Sequence, residues 1–467
     1  MFPWLRHIIE MVEDASKIKP CTLSQFVNTV LIERFIDRVK TDLDVRLNNA
    51  LRQQEMVREK KLISVHEGIQ RTATQVMAMC RELHNLILSM DTHAHSFASL
   101  MMLVLDDYCK NMSKLHSQAT CFPSESDTVI HRKKISAAWA ADEDISRLLT
   151  SLPNWEAAQE EELDEKSGGR HLTERESDIL IGNLGTQKQI EESELIRNIA
   201  DISRLASLHE NLRWLASEVS CVVQIRSLLA ALPQNIRNAL RQCNVQVKFE
   251  DGRAARNEVV ISAIEEVVSR IESMSNSSLL MLHLEIRVHC FYHLLPLARP
   301  KSNRMSDDVD PEVHEFGREV ASFHSVLVTI LSKPKLRYVF EGLGHLCAAI
   351  MIHSSQHMPR LSESAKKRVC RNIWGIQQRL SHVTGRREVH LDRARAFFEL
   401  LSQDMERLMA AIPEKRNAFS PMELNYLVGL AVRSHPVLSS QPGALDTLLS
   451  QLNAIIRLPQ TPTAPSS

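Results

Sequence analysis

The sequence predicts an all-α fold, and three observations carry that prediction. Glycine supplies 13 of 467 residues and aromatic side chains 5%, against ~7% glycine in ordinary proteins, so the residues that build turns and strands are scarce. Apolar positions recur at spacings of three and four along most of the chain, the period of one helix face. Helix-start and helix-stop residues bracket those runs. The most apolar run, from Leu279 to Pro296, is apolar on nearly every side and must lie inside a bundle. Its polar positions Glu285, Arg287, His289 and His293 predict one wetter edge, and Pro296 ends it.

In chain order, Thr22 to Gln25 has capping-box spacing and opens a long helix whose face holds Val27, Leu31, Phe35, Ile36, Val39, Leu43 and Leu47. Helical patterns follow over about 60–91 and 95–119, completing a first bundle over 1–125. A short helix between Ile135 and Trp155 leads into the acidic run Glu156 to Arg170, which the composition marks as a disordered linker, so 126–176 is expected to be connector.

A second bundle is expected over 177–300. Thr173 to Glu176 repeats the capping-box spacing and Gly182 closes that helix, while Leu195, Ile199, Ile202, Leu205, Leu208, Leu212 and Leu215 form one stripe. Asn244 to Phe249 alternates like a strand but has no partner and is read as loop. Asn276-Ser-Ser marks a break or polar turn before the central helix.

After a loop at 301–314, a third bundle over 315–457 is expected. Its helices run from Glu315 to Ser332, from Tyr338 to His353, and from Ser362 to a stop at Gly385. Another carries Leu391, Ala394, Phe398, Leu401, Met405 and Leu408. The last starts at the Ser420-Pro-Met-Glu423 capping box and stops before Pro436. A Pro-rich tail occupies 458–467.

Composition narrows the function classes. Lys+Arg 56 against Asp+Glu 57 leaves a net charge of −1, which gives no field for nucleic acid or anionic lipid. Nine scattered cysteines without a CxxC pair, and a start without an apolar leader, point to reduced thiols in a cytosolic protein. Gly342 to Pro359 lacks acidic and basic residues, but its continuous apolar run covers only Leu346 to Ile352. A span needs ~20 such residues, so a buried helix is expected there.

Catalytic signatures are missing: the sequence contains no phosphate-loop, dinucleotide, nucleophile-elbow or HExxH pattern. His289, Cys290 and His293 are the best metal candidate, since His289 and His293 share a helix face at i and i+4. No third ligand lies on that face, and His283 points elsewhere, so a buried polar edge is expected instead. His93 and His95, two apart, diverge on a helix. Gly342 and Gly344 suggest close helix approach. Lys366, Lys367, Arg368 and Arg371, with Arg386 and Arg387, form short basic clusters that suit a solvated face, or a contact with lipid or an acidic partner.

Several stretches together resemble one known family. Leu282 to Ala298, Ile135 to Trp139, Asp144 to Trp155, Leu180 to Gly185, His209 to Ala216, Phe340 to Leu346, Cys370 to Ile373 and Leu391 to Leu401 resemble, in the same order, the Sec-eight subunits of the exocyst. The resemblance implies an elongated rod of stacked helical bundles of the tethering-complex (CATCHR) type, acting in docking of secretory vesicles at the plasma membrane. It implies no catalytic residue, cofactor or metal, no nucleic-acid or small-molecule partner, and other exocyst subunits as partners. Association with vesicle and plasma membranes would be peripheral, through the complex, from a cytoplasmic location.

Two departures accompany the resemblance. The family's amino-terminal coiled-coil half has no counterpart before Met1, so the chain reads as the carboxy-terminal half or a shortened gene product and is expected to hold its partners weakly. The end Pro465-Ser-Ser467 lacks the apolar last residue of a PDZ-type tail. A metal-binding or uncharacterised helical enzyme is the alternative function class.

Overall fold

A computed structural model describes residues 2–18, 20–60, 65–89, 94–122, 132–152, 155, 170–185, 188–223, 251–299 and 308–457. Regular structure among them is helical, apart from one isolated antiparallel bridge between Cys121 and Lys133. Two compact units form. Unit 1 comprises Met1–Ala119 with Ser203–Leu279, and unit 2 comprises Thr120–Ile202 with Leu280–Ser467. The sequence pointed to consecutive bundles; the contacts divide 177–300 at positions 202/203 and 279/280 instead.

Unit 1 begins with α1 (Phe2–Ser16), α2 (Thr22–Val30), a π-helical turn (Leu31–Ile36) and α3 (Asp37–Lys60). The long helix predicted from Thr22 is therefore present, but its start differs. Cys21 caps it: Sγ accepts from the Ser24 N–H at 3.3 Å, leaving Thr22 inside the first turn. The unit continues with α4 (Val65–Ser89), α5 (Ala94–Thr120), α9 (Ile199–Val223) and the first part of α10 (Asp251–Leu294). Leu43, Met77, Phe97, Tyr108, Leu212 and Ile271 meet in its core.

Arg46 binds Glu82 through two parallel hydrogen bonds of 2.7 and 2.9 Å, fastening α3 to α4. His209 and Ser275 clip α9 to α10, with the Ser275 hydroxyl donating to the His209 carbonyl at 2.8 Å. Leu205, Leu208, Leu212 and Leu215 are buried as the stripe predicts. Leu195 precedes α9, and Ile199 at its first position is 38% exposed. Helix α10 passes through Asn276-Ser-Ser without a break, and within it the Ser278 hydroxyl turns back onto the Met274 carbonyl at 2.9 Å.

Unit 2 opens with α6 (Ile135–Ala140), α7 (Glu143–Thr150) and α8 (Arg170–Leu184). Asp142 caps α7 by accepting from the Asp144 and Ile145 N–H groups. Helix α8 starts ahead of the predicted box, placing Thr173 and Glu176 in its interior. It ends not at Gly182 but at Gly185, whose φ of 74° is the left-handed C-terminal conformation. The last part of α10 follows, then a 3₁₀ turn (Leu295–Ala298) containing Pro296.

Asp310 precedes α11 (Pro311–Leu327), with Pro311 at the favoured first position. The predicted helix from Tyr338 to His353 is two helices, α12 (Lys333–Phe340) and α13 (Leu343–Ser354). Glu341 is extended and Gly342 has φ 84°, which breaks the run. Gly385 (φ 67°) ends α14 (Glu363–Thr384) as predicted, and Ser362 caps its start. The run from Leu391 to Leu408 divides into α15 (His390–Leu400) and α16 (Met405–Lys415), because Asp404 adopts an extended conformation. The Ser420 box is formed with both reciprocal bonds and opens α17 (Pro421–Ser434). Helix α18 (Ala444–Arg457) closes the described chain.

Helix α13 is buried almost throughout, and no helix among the described residues is long and apolar enough to cross a membrane. The acidic run 156–169, the alternating stretch 244–249, the first half (301–307) of the predicted loop 301–314 and the tail 458–467 lie outside the described residues, and 311–314 of that loop belong to α11.

Candidate functional site

The polar positions of the central helix are not a wetter edge. Glu285, Arg287, His289 and His293 are all 2% exposed or less, and so is His283. Consecutive helical residues are ~100° apart, so positions 283 and 287 share one side while 285, 289 and 293 occupy another. Each side meets its own counter-charges within unit 2.

On the first side, Glu176 of α8 accepts at Oε1 from Arg287 Nε at 2.5 Å and faces His283 Nε2 at 2.8 Å. Arg287 Nη1 also donates to the Val339 carbonyl at 2.8 Å, and Nη2 to that of Glu341 at 2.6 Å. These carbonyls end α12, where no intrahelical donor remains, so one guanidinium joins α8, α10 and the end of α12. Burial alone would raise the Glu176 carboxyl, but Arg287 and His283 hold it down at about 2. Burial and the Arg287 charge push His283 down, opposed by Glu176 and the Tyr338 carbonyl 2.8 Å from its Nδ1. The Tyr338 ring stacks on His283 at 4.4 Å. One residue along α8, Ser177 meets His345 Nδ1 at 2.8 Å.

On the second side, His289 stands between two carboxylates. Its Nδ1 lies 2.8 Å from Glu319 Oε2 and its Nε2 3.2 Å from Glu285 Oε1. Nδ1 makes a hydrogen bond with Glu319, while Nε2 lies opposite Glu285 without hydrogen-bond geometry. Burial lowers the His289 pKa, but Glu285 and Glu319 outweigh it and bring the value to about 9. Glu319 sits below the ordinary carboxylate range: burial opposes this, and His289 and His293 impose it. Glu285 is anchored by the Ser136 hydroxyl and by the Ile196 N–H at 2.6 Å. Arg197 Nε reaches Glu319 Oε1 at 2.9 Å, and His293 Nε2 reaches Oε2 at 2.8 Å.

Sequence spacing found His289 and His293 but not Glu319, which arrives from α11. Cys290 is no part of the group and lies against Cys347 instead. All described cysteines are free. His93, and the side chain of His95, fall outside what the structure describes.

Gly342 lies over the first cluster, 3.8 Å from Arg287 Nη2 by its missing Cβ, and Gly344 packs against Glu388. The basic clusters are largely engaged within the unit. Lys366 Nζ donates to the Leu401 carbonyl, Arg368 binds Asp310 at 2.7 Å and Arg387 binds Asp392 at 2.7 Å.

No protein-family model matches the chain. Individual proteins match it along nearly its full length. It is 48% identical to exocyst complex component 4 of Caenorhabditis elegans over 98% of this chain and 51% of that protein. The corresponding mouse protein is 29% identical over 97% of this chain and 47% of its own length, and the human protein 29% over 92% and 45%. The chain thus spans about half the length of the curated relatives it matches. Their names give the enzyme alternative no support. The chain is therefore homologous, along nearly its whole length, to about half of proteins named exocyst complex component 4.

Proposed function

We propose that the chain is a non-catalytic subunit of an exocyst complex, docking secretory vesicles at the plasma membrane before fusion. The observation that carries the reading is 48% identity to a protein named exocyst complex component 4, sustained over 98% of the chain. Its partners are other exocyst subunits, reached through exposed helix faces. Membrane association is peripheral and runs through the complex, from the cytoplasm.

The buried polar groups fit this role. Glu176 pairs with His283 and Arg287, and His289 with Glu285 and Glu319, and these pairs fix the angles at which helices present their outer faces. Such work needs rigid surfaces rather than a reacting centre.

Depletion of the protein in its own cells is the test. Secretory vesicles should accumulate beneath the plasma membrane, and re-expression of the full-length protein should clear them. Normal secretion in cells that lack it would reject the proposal.

A further inference from the structure

His289, His293 and Glu319 offer Nδ1, Nε2 and a carboxylate oxygen that all lie within 4.8 Å of one another. We propose that these three side chains bind a divalent zinc-type cation that clasps α10 to α11. Such a clasp would be structural and independent of the tethering role.

Four features support it. Two imidazoles and one carboxylate are a donor set that zinc accepts. The histidines stand one turn apart on a buried helix, which fixes their separation before any ion arrives. An outer shell is already built: Glu285 Oε1 faces the distal nitrogen of His289 at 3.2 Å and is itself held by Ser136 and the Ile196 N–H. Carboxylates in that position orient metal-binding histidines and raise their basicity. Arg197 engages the opposite oxygen of Glu319, leaving Oε2 turned toward both rings.

Phe316 and Phe323 pack against the two rings, with centroids 6.0 Å from His293 and 5.0 Å from His289. Glu319 keeps 13% of its side chain exposed, so an ion has an approach from solvent. Protons are the competing occupant. A cation at His289 Nδ1 releases the proton there to water, and the remaining proton sits on Nε2, 3.2 Å from Glu285 Oε1. His293 then carries its proton on Nδ1.

The test uses the untagged full chain, stripped with chelator, incubated with zinc and measured for bound metal after gel filtration. Stoichiometric zinc and a raised thermal midpoint are expected. His293→Gln and Glu319→Gln should lose the metal, and Glu285→Gln should weaken it ~10–100-fold. Cobalt added to the unmutated chain keeps the question open to decision even if the variants fail to fold. A visible ligand-field band that zinc displaces supports the site, and its absence overturns it. Zinc retained equally by a folded His293→Gln variant also overturns it.

Discussion

Glu176 and Arg287 stand 111 positions apart in the chain and meet 2.5 Å apart inside unit 2, 5% and 1% exposed. Each offsets the cost of holding the other's charge away from water, with His283 adding to the hold on Glu176. Because Arg287 also holds the carbonyls of Val339 and Glu341, the pair sets where α12 ends. Glu176→Gln keeps the shape but removes the charge. It should cost ~3–5 kcal/mol, since it leaves a guanidinium buried without its partner. Adding Arg287→Met should recover part of that loss. Urea unfolding of the four proteins in the cycle checks this, and additive losses would show the two residues to be energetically independent.

Gly344 and Gly385 separate two reasons for glycine. A Cβ at Gly344 would sit 2.3 Å from Glu388 Oε2 and 3.1 Å from Glu388 Cβ, so Gly344→Ala swings the Glu388 carboxylate away and crowds its Cβ. A loss of ~1–3 kcal/mol is expected, as for other overpacked sites. Gly385 has open space around it but a φ of 67°, so Gly385→Ala should cost only ~1 kcal/mol, from the backbone. Comparison of the thermal midpoints checks both, and an unchanged midpoint for Gly344→Ala would contradict the packing.

Acid should weaken unit 2 in two stages. Burial first, then His390 and Arg393, push His345 down from 6.5 to about 4. Its folded value lies below its unfolded one, so its contribution is complete above 6.5 and is lost as pH falls toward 4. Burial and Arg287 also lower His283, which adds to this stage. Glu176, held at about 2 against an ordinary 4.5, is lost in the lower window between those values. Unfolding free energy measured against pH should therefore begin to fall below 6.5. A flat profile down to 4 would contradict the first stage.

The Ser420 box joins a cap to a partly buried ion pair. Ser420→Ala removes the bond to the Glu423 N–H and should cost ~1 kcal/mol. Glu423→Ala should cost more, because Glu423 also accepts from Arg393 at 2.6 and 2.5 Å. Equal losses in thermal unfolding would show the Arg393 pair to contribute nothing.

Local signals were legible where the chain satisfies itself locally. Ser362, Gly385 and the Ser420 box depend on residues a few positions apart, and the structure forms all three. Thr22 misled because a thiol one residue earlier took the capping role. Thr173 and Glu176 misled because the carboxylate is drawn to Arg287 on a distant helix. Helical periodicity placed His289 and His293 on one face, but no spacing in the sequence brings Glu319 to them from α11. It also misjudged the polar residues of the central helix as wet, since period gives direction and not what lies there.

The central claim, membership of an exocyst complex, is tested most directly by affinity purification of the tagged chain from its own cells with identification of what accompanies it. Other exocyst subunits should be recovered with it and be absent from a mock purification. Recovery of the folded chain without any exocyst subunit would contradict it.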